Sequence, residues 1–160
     1  MSGDASFADG AERPLRLKAE TADDLQVMSA LVQDALTTPA ETAWMPRRRR
    51  FSLLINRFRW EDAARAERRG RPFERVQTML VIDDVHRARS SGLDPGDREV
   101  VVSILALEFE PGPDGSGTVR LVLSGDGELA LDVECLNVSL TDVARPHLAK
   151  SPRPPRHSEV

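Results

Sequence analysis

Only one stretch of this chain keeps a helical period, and that narrows the folds open to it. Leu25, Met28, Leu31, Val32, Ala35 and Leu36 recur at three- and four-residue spacing behind Thr21 and Asp24, which are set as a capping box, and Pro39 stands just past the end. A second, shorter helix is predicted over Glu61 to Arg69, where alanines and opposite charges favour helix without an apolar stripe. Nearly all other apolar residues fall in strand-length runs cut by proline- and glycine-bearing turns.

Leu15 and Leu17 alternate with Arg16 and Lys18 as a short strand. Thr42 to Met45 leads through Pro46 and four arginines into Phe51 to Trp60, which predicts a hairpin with a basic turn. In its second arm Phe51, Leu53 and Ile55 share one face, and Leu54, Phe58 and Trp60 the other, so a bulge or burial on both faces is expected near one end. Arg75 to Ile82 reads as a strand and Asp83 to Arg98 as a long polar loop. Val100 to Phe109, the most apolar run, is expected at the sheet centre, covered on both sides. Pro111 to Gly117 and Ser124 to Gly127 are turns framing strands at Thr118 to Leu123 and Glu128 to Cys135. Alternation slips by one residue at Leu136, Val138 and Leu140, which marks a bend there and leaves Cys135 on the core side. The expected fold is α+β: about seven mostly antiparallel strands, a meander or half-open barrel, with one N-terminal amphipathic helix packed on the sheet. It occupies residues 13–144 as a single domain, between disordered tails at 1–12 and, rich in proline, at 145–160.

With 160 residues the chain suits one core, and its net charge of -4 argues against a protein that coats nucleic acid along its whole surface. The first ten residues lack the basic and apolar regions of a signal peptide, and no run of about 18 apolar residues occurs, so a cytoplasmic protein without integral membrane association is expected. Cys135 is the only cysteine and can form neither an intramolecular disulfide nor a zinc framework.

Charge is strongly segregated. Eleven of the 22 basic residues are arginines between Arg47 and Arg75, against Glu61, Asp62, Glu67 and Glu74, while nine carboxylates between Glu99 and Asp142 face only Arg120. Such a distribution shapes a surface field and bears on partners.

Trp44, the run Arg50 to Glu61, the strand end Leu107-Glu108-Phe109-Glu110 and Leu131 to Cys135 together resemble a small alphaproteobacterial family known only as a domain of unknown function, DUF2948, over roughly residues 14–143. The resemblance implies a bacterial cytoplasmic protein and no catalytic residue. The loop 83–98 and the C-terminal tail fall outside it.

Nucleophilic catalysis finds little footing. His86 lies in the polar loop, His147 and His157 lie in the tail, Cys135 sits in a core alternation, and there is no Gly-x-Ser-x-Gly elbow. Glu108, Glu110, Asp132 and Glu134 project in pairs from two strands, the arrangement a divalent-metal enzyme would use, although acids at this spacing are also what a solvated strand face shows. No phosphate loop or cofactor motif occurs, and no cofactor is expected. The arginine cluster remains. Trp44, Arg48, Arg50, Arg57, Arg59, Trp60 and Glu61 combine charge with flat rings, which suits a protein hot spot and equally phosphate contact and base stacking. The expectation is a non-enzymatic binding or regulatory protein that engages a protein partner, or a second copy of itself, through an outward-facing basic, Trp-flanked hairpin, and the family resemblance implies a partner in bacterial envelope or growth machinery. The alternative is an RNA- or DNA-binding module on the same face, and the second alternative is the metal-dependent enzyme.

Overall fold

In the computed structural model, which describes residues 14–94, 96–149 and 154–155, the elements run β1 (Arg16–Ala19), α1 (Ala22–Val32), β2 (Leu36–Thr37), β3 (Thr42–Met45), β4 (Arg50–Phe58), α2 (Trp60–Arg68), β5 (Glu74–Ile82), β6 (Val85–Ser91), β7 (Val102–Pro111), β8 (Gly117–Leu123), β9 (Glu128–Val133), β10 (Val138–Asp142) and β11 (His147–Leu148). The tail expected over 1–12, and most of the C-terminal one including His157, lie outside the described residues.

The expected α+β class and antiparallel sheet are present, with the strand at Leu15 and Leu17 ahead of α1 as read, but among the described residues the sheet has eleven strands rather than about seven. Their order, β1-β10-β5-β4-β2-β7-β8-β9-β6 with β3 beside β4 and β11 beside β5, is a meander only across β7, β8 and β9. Long-range pairings join β10 to β1 and β5. At the other end the sheet curls until β6 returns to the β3–β4 turn, where the Val85 N–H donates to the Arg49 carbonyl at 2.9 Å. The interior is a continuous apolar cluster that includes Phe51, Leu53, Ile55, Leu80, Ile104, Leu121, Leu131 and Leu140.

Helix α1 begins as its sequence dictates: the Asp24 N–H donates to Thr21 Oγ1 (3.1 Å) and the Thr21 N–H to Asp24 Oδ2 (3.2 Å). The Glu20 N–H, which donates to the same carboxylate at 3.1 Å, does most to hold the Asp24 carboxyl below its ordinary range, and Thr21 adds to it. The helix stops at Val32, short of the expected Leu36. Asp34 adopts φ 63°, and the chain turns into the sheet, with the Asp34 N–H on the Ile104 carbonyl at 2.7 Å and the Ile104 N–H on the Ala35 carbonyl at 2.8 Å. Ala35 therefore meets β7 as backbone, and its apparent place in the helical stripe is fortuitous. Strand β7 shifts register between Ile104 and Ala106, and Ser29 Oγ on α1 accepts the Leu107 N–H at 2.9 Å. Its outer face is half-exposed, not covered as expected.

Two segments expected to be irregular contain strands. The polar loop at 83–98 contains strand β6, paired with β9 through Ser91. The proline-rich tail continues the sheet at His147–Leu148, opposite Arg75 and Glu74 of β5. β6, Val-His-Arg-Ala-Arg-Ser-Ser, is an edge strand rich in charged or small residues, the composition that blunts a sheet edge against wrong pairing.

Candidate binding surface

Strand β4 alternates Phe51, Leu53, Ile55 and Arg57, and the period of two puts Arg57 on the core face with the three hydrophobics. Arg57 is fully buried. Its guanidinium donates to both oxygens of Glu61 (2.8 and 3.0 Å) and to Asp142 (3.0 and 3.3 Å), and Nε reaches Thr78 Oγ1 at 3.3 Å. Asp142 also accepts from the Thr78 hydroxyl at 2.8 Å and from the Leu15 N–H at 2.8 Å. Burial opposes the Arg57 charge, but the Glu61 and Asp142 carboxylates outweigh it and hold the guanidinium above its ordinary range. The network joins β4, β5, β10, α2 and the entry to β1.

Arg59, 6% exposed, forms a second network with Glu74 and Asp62, and Arg71 completes it with paired bonds to Asp62 at 2.7 and 2.9 Å. The Arg71 bonds, with help from the Arg59 and Arg65 charges, keep the Asp62 carboxyl below its ordinary range although burial opposes this. Trp60 is half-buried, donates Nε1–H to the Gln33 carbonyl at 3.0 Å and packs edge-on to Phe58, their centroids 4.6 Å apart. Phe73 and Arg75 cover the rest of the Phe58 ring. This accounts for the mixed faces of β4: its C-terminal end is covered on both sides, without a bulge.

The expectation of an outward-facing cluster is therefore corrected. Arg57 and Arg59 are internally neutralised, Glu61 is spent on Arg57, and Trp60, the first residue of α2, packs on Phe58 and bonds Gln33. β4 is nine residues long, so its two ends lie about 25–30 Å apart, and Trp44 and Trp60 belong to different ends of the sheet.

The hairpin tip is different. Pro46 to Arg48 form a 3-10 turn closed by Arg49 in the left-handed region, φ 54°. Arg49 pairs with Glu134, and Arg50 Nε donates to Asp83 at 2.7 Å, which clamps the turn to the β5–β6 and β9–β10 connections. Arg47 and Arg48 stand exposed, and among the described residues neither has a carboxylate within 4.0 Å. β6 lies against this turn and presents exposed His86 and Arg87, the latter also without an ion pair among the described residues. Sequence reasoning missed Arg87 because it read β6 as a loop.

Behind the tip, Trp44 is half-buried with its ring tilted over Phe51, centroids 6.4 Å apart, and both line a cavity of about 290 Å3 at the mouth of the curled sheet. Leu53, Val102, Leu123 and Leu129 form its floor, and Arg89, Leu93, Asp94 and Arg98 come to its lip.

The acidic strands are occupied. Asp132 accepts from Arg89 at 2.6 Å and from Thr118 at 2.9 Å; burial opposes its charge, but these donors keep it below its ordinary range. Glu110 pairs with Arg120 and Glu134 with Arg49, while Glu108 is exposed. Among the described residues no group of three His, Cys, Asp or Glu side chains is placed to hold a metal ion. Cys135, expected in the core, is exposed because the chain turns after Val133 and buries Leu136 instead. Its thiol donates to Asp84 at 3.2 Å, and that bond, with partial burial, raises its pKa. Asn137, which donates to Asp84 at 3.1 Å, does most to hold that carboxyl low, and the Cys135 thiol adds to it. No described helix is long and apolar enough to cross a membrane.

No curated protein and no solved structure matches the chain. A family model does, that of a protein of unknown function (DUF2948), over residues 15–157, a span that includes both the 83–98 segment and most of the C-terminal tail that the sequence resemblance left out. The chain belongs to this family.

Proposed function

We propose that the protein is a non-enzymatic binding protein that engages an acidic protein partner through the clamped tip of the β3–β4 hairpin, with Arg47, Arg48 and the neighbouring Arg87 as the contact charges. The observation that carries the reading is the contrast among the arginines. Those further along β4 are neutralised by buried or half-buried carboxylates, whereas the tip is held by Arg49 and Arg50 and leaves its two foremost guanidiniums without an ion pair among the described residues. A preorganised basic corner on a chain of net charge -4 is suited to electrostatic steering of an acidic surface. That Asp132, Glu110 and Glu134 are paired with arginines supports the non-enzymatic part.

Affinity purification from the native cell tests this, with the whole chain as wild type and as Arg47→Glu/Arg48→Glu/Arg87→Glu. The variant should keep its melting temperature and lose a salt-sensitive protein partner. An unchanged partner set removes the proposal. Loss of a bound oligonucleotide, with affinity falling steeply with salt, transfers the same surface to nucleic acid.

A further inference from the structure

The cavity behind the tip has no role in partner docking as proposed, since Arg47, Arg48 and Arg87 do not line it. Its volume of about 290 Å3 lies at the lower end of the range of small-molecule sites, about 300–1,000 Å3.

The lining is chemically divided. Phe51, Leu53, Val102, Leu123 and Leu129 are buried and inward-facing, with Trp44 as one wall. Of the four hydroxyl residues that line the space, Thr37 Oγ1 donates to the Leu54 carbonyl (2.9 Å) and Thr42 Oγ1 to the Pro39 carbonyl (2.8 Å), which leaves Thr38 and Ser90, near the lip, as the ones not turned to a carbonyl. The interior is therefore suited to an apolar body. At the lip, Arg89 is committed to Asp132. Arg98 has no carboxylate within 4.0 Å among the described residues, while its own carbonyl is pinned by the Ala40 N–H at 2.9 Å. The carboxylate at the lip, Asp94, accepts the Gly96 N–H at 2.9 Å. Arg89 is thus balanced by Asp132, and Arg98 is the lip's guanidinium that has no ion pair among the described residues.

We propose that this mouth binds a small amphipathic anion, a medium-length aliphatic carboxylate, whose chain enters between Trp44 and the floor residues and whose carboxylate is received by Arg98. A guanidinium pairs with a carboxylate through two parallel bonds, so the head group is fixed as the chain leaves water.

The probes are hexanoate, octanoate, decanoate and decanol, added to the whole chain carrying Trp60→Phe so that Trp44 alone reports by fluorescence, with calorimetry alongside. Affinity should rise about fourfold per methylene until the cavity is full. Decanol should bind at least about tenfold more weakly than decanoate, because it lacks the charge-assisted bonds. Arg98→Gln should bring decanoate down to the level of decanol and leave decanol unchanged, and Asp94→Asn should tighten decanoate. Absence of saturable decanoate binding, equal binding of the alcohol, or indifference to Arg98→Gln each overturns the proposal. The Arg47→Glu/Arg48→Glu/Arg87→Glu variant should bind decanoate as the wild type does, so failure here and failure of the docking reading are separable.

Discussion

Arg57→Ala distinguishes a structural guanidinium from a docking one. In the fold, the arginine side chain is fully inaccessible and Asp142 only 5% exposed. Removing Arg57 leaves the Asp142 carboxylate buried with only the Thr78 hydroxyl and the Leu15 N–H as donors. Breaking a buried pair from one side costs about 3–5 kcal/mol, several times the 0–1 kcal/mol of a surface bridge. For a chain of this length, that lowers the melting temperature by about 6–20 °C. Urea and thermal unfolding at pH 7, followed by circular dichroism, measure it. Arg57→Met/Asp142→Leu should recover much of the loss, because the carboxylate left behind, Glu61, is 28% exposed and keeps Arg59 at 3.9 Å, so no fully buried charge is orphaned. Arg48→Glu, at the exposed tip, should change stability by no more than about 0.5 kcal/mol. A loss below about 1 kcal/mol for Arg57→Ala would refute the argument, since that is what a solvated guanidinium gives.

Asp62, held low chiefly by Arg71, stabilises the fold above the unfolded-state pKa and loses that contribution as pH falls through its lower folded value. Asp62→Asn should therefore be less stable than wild type by about 1–3 kcal/mol at pH 7, with the gap closing in melts below about pH 3. A pH-independent gap contradicts this. The Cys135 thiol, its pKa raised by the bond to Asp84, should alkylate with iodoacetamide at pH 7.5 more slowly than a free cysteine, and Asp84→Asn should speed the reaction although Cys135 is exposed in both. Equal rates would show that the bond does not control ionisation. Gly92 has φ +71°, and a Cβ there would come within 2.2 Å of the Asp126 carbonyl oxygen, so Gly92→Ala should cost more than about 1 kcal/mol; a neutral result in urea would mean that this junction yields easily.

Much of the fold is written in local chemistry. The capping box at Thr21 and Asp24, the β3–β4 hairpin with its basic turn, the Pro111–Gly117 turn and the Ser124–Gly127 turn all occur where short-range preferences put them. What the sequence does not carry is pairing between distant segments. Neither the β1–β10 and β10–β5 ladders nor the return of β6 to the hairpin has a local signature, because any two alternating runs of similar length could pair. β6 was obscured for a further reason: Val-His-Arg-Ala-Arg-Ser-Ser has only Val85 buried, and an edge strand that avoids aggregation looks, in composition, like a loop.

The buried arginine is the instructive case, because its signal was present and was outweighed by residue type. Phe51, Leu53 and Ile55 set the inward phase of β4, and the same phase lands on Arg57. Leu140 sets the phase of β10 and lands on Asp142. Leu80 and Ile82 set that of β5 and reach back to Thr78. In the ladder Asp142 stands opposite Thr78, Thr78 opposite Ile55, and Arg57 opposite Val76, so three independent alternations place a cation, a carboxylate and a hydroxyl side by side on one face. A lone charge in a core phase reads as an exposed residue out of register. A cation and an anion in the core phases of two runs argue instead that the strands are near neighbours, since neither charge can be buried without the other. On that reasoning the polar residues that break an alternation carry the long-range pairing information that its apolar residues lack.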